Sequence, residues 1–190
     1  MKQVVSALCV LLSVCVLADE DLMTNGNRVV DSDGAAMLYD WCAAHQSVWT
    51  RKAADGGLAA AQCQMGLFYM NGLGVEQDDD KAVEWLNKAA AQNHAQAQYN
   101  LGIYYARFSD KESQRLAVKW LGEAAKQDYA DAQYNLAQLY LNPHHPASSE
   151  QNAGRRAISL LRCAAAQGHA AAKAKLQELG ITIPPSSSKK

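Results

Sequence analysis

The chain lacks an excess of charge of either sign: 18 basic residues face 19 acidic ones in 190, a formal net charge of −1. That balance excludes the basic surface with which proteins hold nucleic acid or an anionic membrane. After the first eighteen residues, no apolar run approaches the roughly 20 residues that a membrane-spanning helix needs. Nucleophile elbows, phosphate loops and zinc-protease motifs are absent too, so nothing points to an enzyme and no cofactor is expected. Past residue 18 only Cys42, Cys63 and Cys163 remain, an odd number that leaves at least one thiol unpaired within the chain.

What is present begins with the N-terminus. Lys2, an apolar run from Val4 to Leu17 interrupted only by Ser6 and Ser13, and small residues at its end form the layout of a secretory signal peptide. Cleavage is expected between Ala18 and Asp19, which leaves 17 basic and 19 acidic residues in a periplasmic or secreted protein. A lipoprotein reading would acylate Cys15, and Val14 stands where a small residue normally precedes such a cysteine. Export permits disulfides. Cys42 and Cys63, however, would be offset by about 13 Å along antiparallel helices, beyond disulfide reach. The expectation is that the cysteines are small residues within the helix packing.

The strongest signal is internal repetition. Ala59-Ala60-Ala61-Gln62, Ala95-Gln96-Ala97-Gln98 and Ala130-Asp131-Ala132-Gln133 recur, and a degenerate copy starts at Ala170, giving spacings of 36, 35 and 40 residues. Six residues into the copies stand Met65, Leu101, Leu136 and Leu176; ten residues in stand Tyr69, Tyr105 and Tyr140. These offsets keep one helical face. Gly66, Gly102 and Ala137 at the next position admit a neighbouring helix. Ten residues before each copy, Trp49, Trp85, Trp120 and Leu160 precede alanine pairs, which marks a second amphipathic helix with one large anchor. Gly57, Asn93, Asp128 and Gly168 stand two residues before each copy, where a left-handed residue ends a helix. The glycines of Gly72-Leu73-Gly74-Val75 make the turn within a copy, and an aspartate of Asp78-Asp79-Asp80 caps the next helix. That acidic run lacks the alternating ligands of a calcium loop.

Ala95 to Tyr105, the Gly72 to Val75 turn and Lys81 to Ala90 together resemble the Sel-one-like (Sel1-like) repeat family, from Trp41 to Leu179. The second and third copies depart from its turn, with Arg107-Phe108-Ser109-Asp110 and a longer loop through Asn142-Pro143-His144-His145-Pro146. The resemblance implies an all-α, right-handed α/α solenoid of about three full repeats with partial repeats as caps. The expected divisions are a signal peptide (1–18), a lead-in (19–34), a partial repeat (35–58) and repeats at 59–94, 95–129 and 130–169. A capping helix (170–180) and a flexible tail (181–190) complete the chain.

Stacked helix pairs build an extended concave surface. On the first helices, Tyr99 with Asn100 and Tyr134 with Asn135, alongside Gln64 and Gln138, combine contact area with hydrogen bonding, as protein interfaces do. Inter-repeat packing is the alternative role for the two tyrosines. The family resemblance implies an adaptor that binds a protein or peptide in a bacterial cell envelope. Two alternatives are an envelope enzyme like the cysteine-rich β-lactam-binding relatives, whose paired cysteines this chain lacks, and a self-associating structural protein. His94 and His169 read as solvated turn residues. His144 and His145, with Glu150, lack the spaced third ligand of a metal site, and no metal is expected.

Overall fold

The computed structural model describes residues 46–181. The proposed cleavage site, Trp41, Cys42 and the tail after Ile181 lie outside the described residues. Within them the chain is helical at 46–55 (α1). There follow α2 (Ala59–Asn71), α3 (Asp79–Ala91), α4 (Ala95–Ala106), α5 (Lys111–Lys126), α6 (Ala130–Leu141), α7 (Ala153–Ala166) and α8 (Ala170–Glu178), with a 3₁₀ turn at Pro146–Ser149. Each helix packs on its neighbours in sequence, α2 on α3, α4 on α5 and α6 on α7 within a pair, and α3 on α4, α5 on α6 and α7 on α8 between pairs. The result is an α solenoid of helix pairs.

The core follows from the spacing of small and large apolar residues. On the first helices, Ala61, Ala97, Ala132 and Ala172 are buried with Met65, Leu101, Leu136 and Leu176 four residues on. On the second helices the buried stripe is Ala82, Leu86, Ala89 and Ala90, repeated as Ala117, Leu121, Ala124 and Ala125, and as Ala157, Leu161, Ala164 and Ala165. Positions i, i+4, i+7 and i+8 share one face of a helix. Alanine costs no side-chain entropy and lets the axes approach closely, while one leucine per helix fills the remaining space.

That leucine corrects the choice of anchor. The tryptophan one residue earlier is buried only at Trp85; Trp120 and Leu160 are half-buried and Trp49 is 63% exposed, whereas Leu86, Leu121 and Leu161 are sealed. One residue is a rotation of 100° about a helix, so the leucine is sealed in every pair while the residue before it varies in burial. Trp85 packs in the core with Ala61, Met65 and Phe68 while Trp120 is half-buried, and a lysine lies over each ring, Lys88 4.2 Å from the Trp85 centroid and Lys119 4.7 Å from that of Trp120. Facing the leucines are Gly66, Gly102 and Ala137. A Cβ added to Gly66 or Gly102 would come within 2.6 Å of Leu86 Cγ or Leu121 Cγ.

The helix ends behave as the sequence implies. Gly57, Asn93, Asp128 and Gly168 have φ of 89°, 62°, 59° and 94°. Asp78 and Asp110 accept backbone N–H bonds at 2.9 Å from Lys81 and Ser113. His94 and His169 are more than solvated turn residues, because each Nδ1 caps the following helix, at 3.3 Å from Ala97 N and 3.1 Å from Ala172 N. Their place one residue before a helix puts a short acceptor in reach of an orphan N–H.

The repeats are also joined by glutamines. Gln62, Gln98 and Gln133 are buried. Their side-chain N–H groups donate to the carbonyls of Ala54, Ala90 and Ala125 at the end of the preceding second helix, at 3.2, 3.4 and 3.3 Å. Their oxygens accept from Gln92, Gln127 and Gln167 at 2.8, 2.7 and 3.0 Å. In α8, Lys173 stands in the glutamine position and Gln177 in the small-residue position, and both are exposed. A polar outer face of this kind is what a capping helix requires.

Candidate interaction surface

The side chains singled out on the first helices fall into a network that crosses repeats. The Tyr99 ring packs on Tyr129 with centroids 5.2 Å apart, and its hydroxyl accepts from Asn135 Nδ2 at 3.4 Å. One repeat on, Tyr134 stacks on the His169 ring at 4.8 Å and accepts from Gln138 Nε2 at 2.7 Å. His169 Nδ1 already accepts from Ala172 N, so Nε2 carries the proton and donates to Asp131 Oδ1 at 3.1 Å. Asn100 Nδ2 approaches Cys63 Sγ at 3.8 Å. Gln64 is exposed, while Tyr99, Asn100, Tyr134, Asn135 and Gln138 are half-buried.

The tyrosines therefore take part in inter-repeat packing while keeping part of each ring open. Burial, and then the Asp131 carboxylate, raise the Tyr99 and Tyr129 hydroxyls above their usual range, so both remain neutral donors at physiological pH. Sequence reasoning missed Tyr129, Asp131 and His169. A signal exists: an aromatic residue precedes the third and fourth copies, at Tyr129 and His169, where the fifth residue of the copy before is Tyr99 or Tyr134. The signal is not specific, because His94 precedes the next copy where Cys63 holds that fifth position.

The other sequence candidates separate. His145 is buried at 7% exposure and His144 is exposed. Glu150 is held by Arg156 at 2.6 Å. His145 Nδ1 accepts from Ala147 N at 3.1 Å, so in the neutral ring Nε2 is a donor with no lone pair for a metal. Among the described residues no three His, Cys, Asp or Glu side chains are grouped to hold a metal ion, and no helix is long and apolar enough to cross a membrane.

Of the described cysteines, both free, Cys63 is buried as expected, whereas Cys163 is exposed on α7, off the stripe formed by Ala157, Leu161, Ala164 and Ala165. Burial pushes the Cys63 thiol up to about 11, against a smaller opposing effect of Asn100, which leaves almost no thiolate at neutral pH. Iodoacetamide should therefore label Cys163 in the native protein and leave Cys63 untouched until the chain unfolds. Peptide mass mapping before and after denaturation reads this directly; native labelling of Cys63 would contradict its burial.

Comparison with known proteins agrees with the repeat geometry. The Sel1 repeat pattern matches residues 59–94, 95–129 and 130–169. The chain belongs to the Sel1 repeat family. It is similar to the crystal structure of a Sel1 repeat protein from Oxalobacter formigenes, with 32% identity and a TM-score of 0.58 over 69% of this chain and 96% of that one. It is also similar to c5321, described as a protective antigen present in uropathogenic Escherichia coli strains and displaying an SLR fold. There the identity is 30% and the TM-score 0.61, over 73% of this chain and 30% of the antigen. The chain thus spans less than a third of that antigen. No curated protein matches it. Sel1 repeats generally act as scaffolds for protein–protein interaction, and proteins built from them are typically not enzymes.

Proposed function

We propose that this Sel1 repeat protein is an exported adaptor that binds a protein or peptide along its first helices. The observation that carries this reading is the Tyr99, Tyr129, Asn135, Asp131, Tyr134, His169 and Gln138 network, in which amphipathic side chains from successive repeats are held by one another yet partly open. Side chains already fixed lose little entropy on binding, and tyrosine offers contact area together with a hydrogen-bonding tip. Asn100, beside Cys63, and then Gln64 carry the same surface back into the first repeat.

The basic, apolar and small-residue succession of residues 1–18 supports export, and the two similar structures are both from bacteria. N-terminal sequencing of the protein from its native cell should read Asp19 first; an intact Met1 in the cytosolic fraction would reject export. For the binding face, a photocrosslinking residue at Gln64 and at Tyr134 should capture one and the same partner, and an exposed control position, Asn87 on α3, should not. Capture from Asn87 alone would place binding on the other face and overturn the assignment.

A further inference from the structure

The third repeat is 40 residues long where the others are 36 and 35, and the additional chain lies in the loop between α6 and α7. That loop does not simply connect the helices. Its 3₁₀ turn packs against α6 and α7 and reaches back to α5 in the preceding repeat. Insertions in solenoids gather on one face, where they often bind. Between the loop and α5 lies a cleft of about 190 Å³, lined by Lys111, Gln114, Arg115, Val118, His145, Pro146, Ala147 and Glu150.

Three features of its lining agree on the chemistry of an occupant. His145 Nδ1 is committed to Ala147 N, so the neutral ring carries an Nε2–H donor, and that atom is buried in the cleft wall without a protein acceptor. Burial also lowers the affinity of this imidazole for a second proton, which keeps it in that tautomer at neutral pH. Lys111 and Arg115 are four residues apart, on the same face of α5, with Lys111 in the first turn, where the helix dipole is positive. Arg115 Nε is only loosely engaged, 3.5 Å from Glu112 Oε2 with both side chains largely exposed. Glu150, the one acidic group of the lining, is already neutralised by Arg156 at 2.6 Å. The rest of the wall, Val118, Pro146 and Ala147, is apolar.

We infer that this cleft is a docking site for an acidic peptide segment of a partner, which inserts one carboxylate side chain toward Lys111, Arg115 and the His145 ring. The methylene stem of a glutamate covers the apolar wall, which a bare inorganic anion would leave in contact with water. The site is separate from the tyrosine network on the first helices and stands or falls independently of it.

The test uses the full chain with ¹⁵N-labelled histidine and two terminally blocked tripeptides, Ala-Glu-Ala and Ala-Gln-Ala. The glutamate peptide should give a saturable shift of the His145 ring nitrogens, at concentrations roughly tenfold below those at which the glutamine peptide acts. Lys111→Gln with Arg115→Gln, both exposed and expected to fold normally, should weaken the response by roughly tenfold or more. His145→Asn retains a side-chain acceptor for Ala147 N, and its shorter amide no longer places a donor where Nε2 stands; glutamate-peptide binding, followed at the Ala147 amide, should weaken. No saturable response in the wild-type chain, an unchanged response in the Lys111/Arg115 variant, or tighter binding of inorganic phosphate than of the glutamate peptide would each overturn the assignment.

Discussion

Gly102→Val should lose about 3 kcal/mol of stability, the upper end of what overpacking a core costs. A Cβ at Gly102 would lie 2.6 Å from Leu121 Cγ, 2.9 Å from Leu121 Cδ2 and 3.0 Å from Leu121 N. The last contact matters most, because a leucine side chain can rotate but the backbone of α5 cannot withdraw without parting from α4. Urea unfolding followed by circular dichroism measures the loss. Combining Gly102→Val with Leu121→Ala should cost less than the sum of the two single changes, since truncating Leu121 opens the space the valine needs. Simple additivity would mean that the helices are not in contact at this point. The third repeat supplies a natural contrast: Ala137 occupies the same position and is fully buried beside Leu161. Ala137→Gly should therefore lose only about 1 kcal/mol, in helix propensity and lost contact.

Gln98→Ala should cost a comparable amount, about 3 kcal/mol, through a different mechanism. Gln98 is buried at the junction of the first two repeats; it donates to Ala90 O and Asn93 Oδ1 and accepts from Gln127 at 2.7 Å. Truncation removes three bonds and opens a small cavity; each buried group left without a partner costs about 1–3 kcal/mol, and relaxation recovers part of the total. The loss should also be regional. In a solenoid, stability is approximately the sum of repeat and interface contributions, so weakening one interface broadens the unfolding transition or splits it in two. Hydrogen exchange should show protection falling in α3 and α4 before it falls in α7. A uniform decrease along the chain would show that this glutamine does not couple the repeats.

The contrast between these two sites explains how much of the protein is legible in one dimension. Repeat length, the alternation of two helix types and the left-handed ends at Asn93 and Asp128 are each set within a few residues of chain, and all are visible as periodic choices of residue type. Gly66 and Gly102 were legible as contact points because they recur at one phase of the repeat, whereas Gly122 of α5, at no such phase, meets nothing within 4 Å. The anchor was not. Trp85 and Leu86 are both large and apolar, and only the rotation of one helix against its partner decides that Leu86 and its counterparts Leu121 and Leu161 are the sealed residues in every pair.

The candidate surface was legible to a similar extent. Tyr99, Asn100, Tyr134, Asn135, Gln64 and Gln138 share a helical face, which a period of 3.6 residues reveals. Their partners Tyr129, Asp131 and His169 come from the adjoining repeat, at separations set by how consecutive pairs stack. The cleft at His145 was beyond sequence reasoning, since two adjacent histidines gave no sign that one would turn inward and the other outward.

By itself, then, the sequence determined the family, the helix pairs, their ends and the small residues between them, because each is written in contacts a few residues apart or in a repeat of about 36. The tertiary structure alone decided which glutamines tie the repeats, which rings stack across them, and where the 40-residue repeat folds its extra chain back onto α5. Those outcomes depend on the rotation and spacing between neighbouring helices, which arise from all the packed side chains together and are carried by no single stretch of sequence.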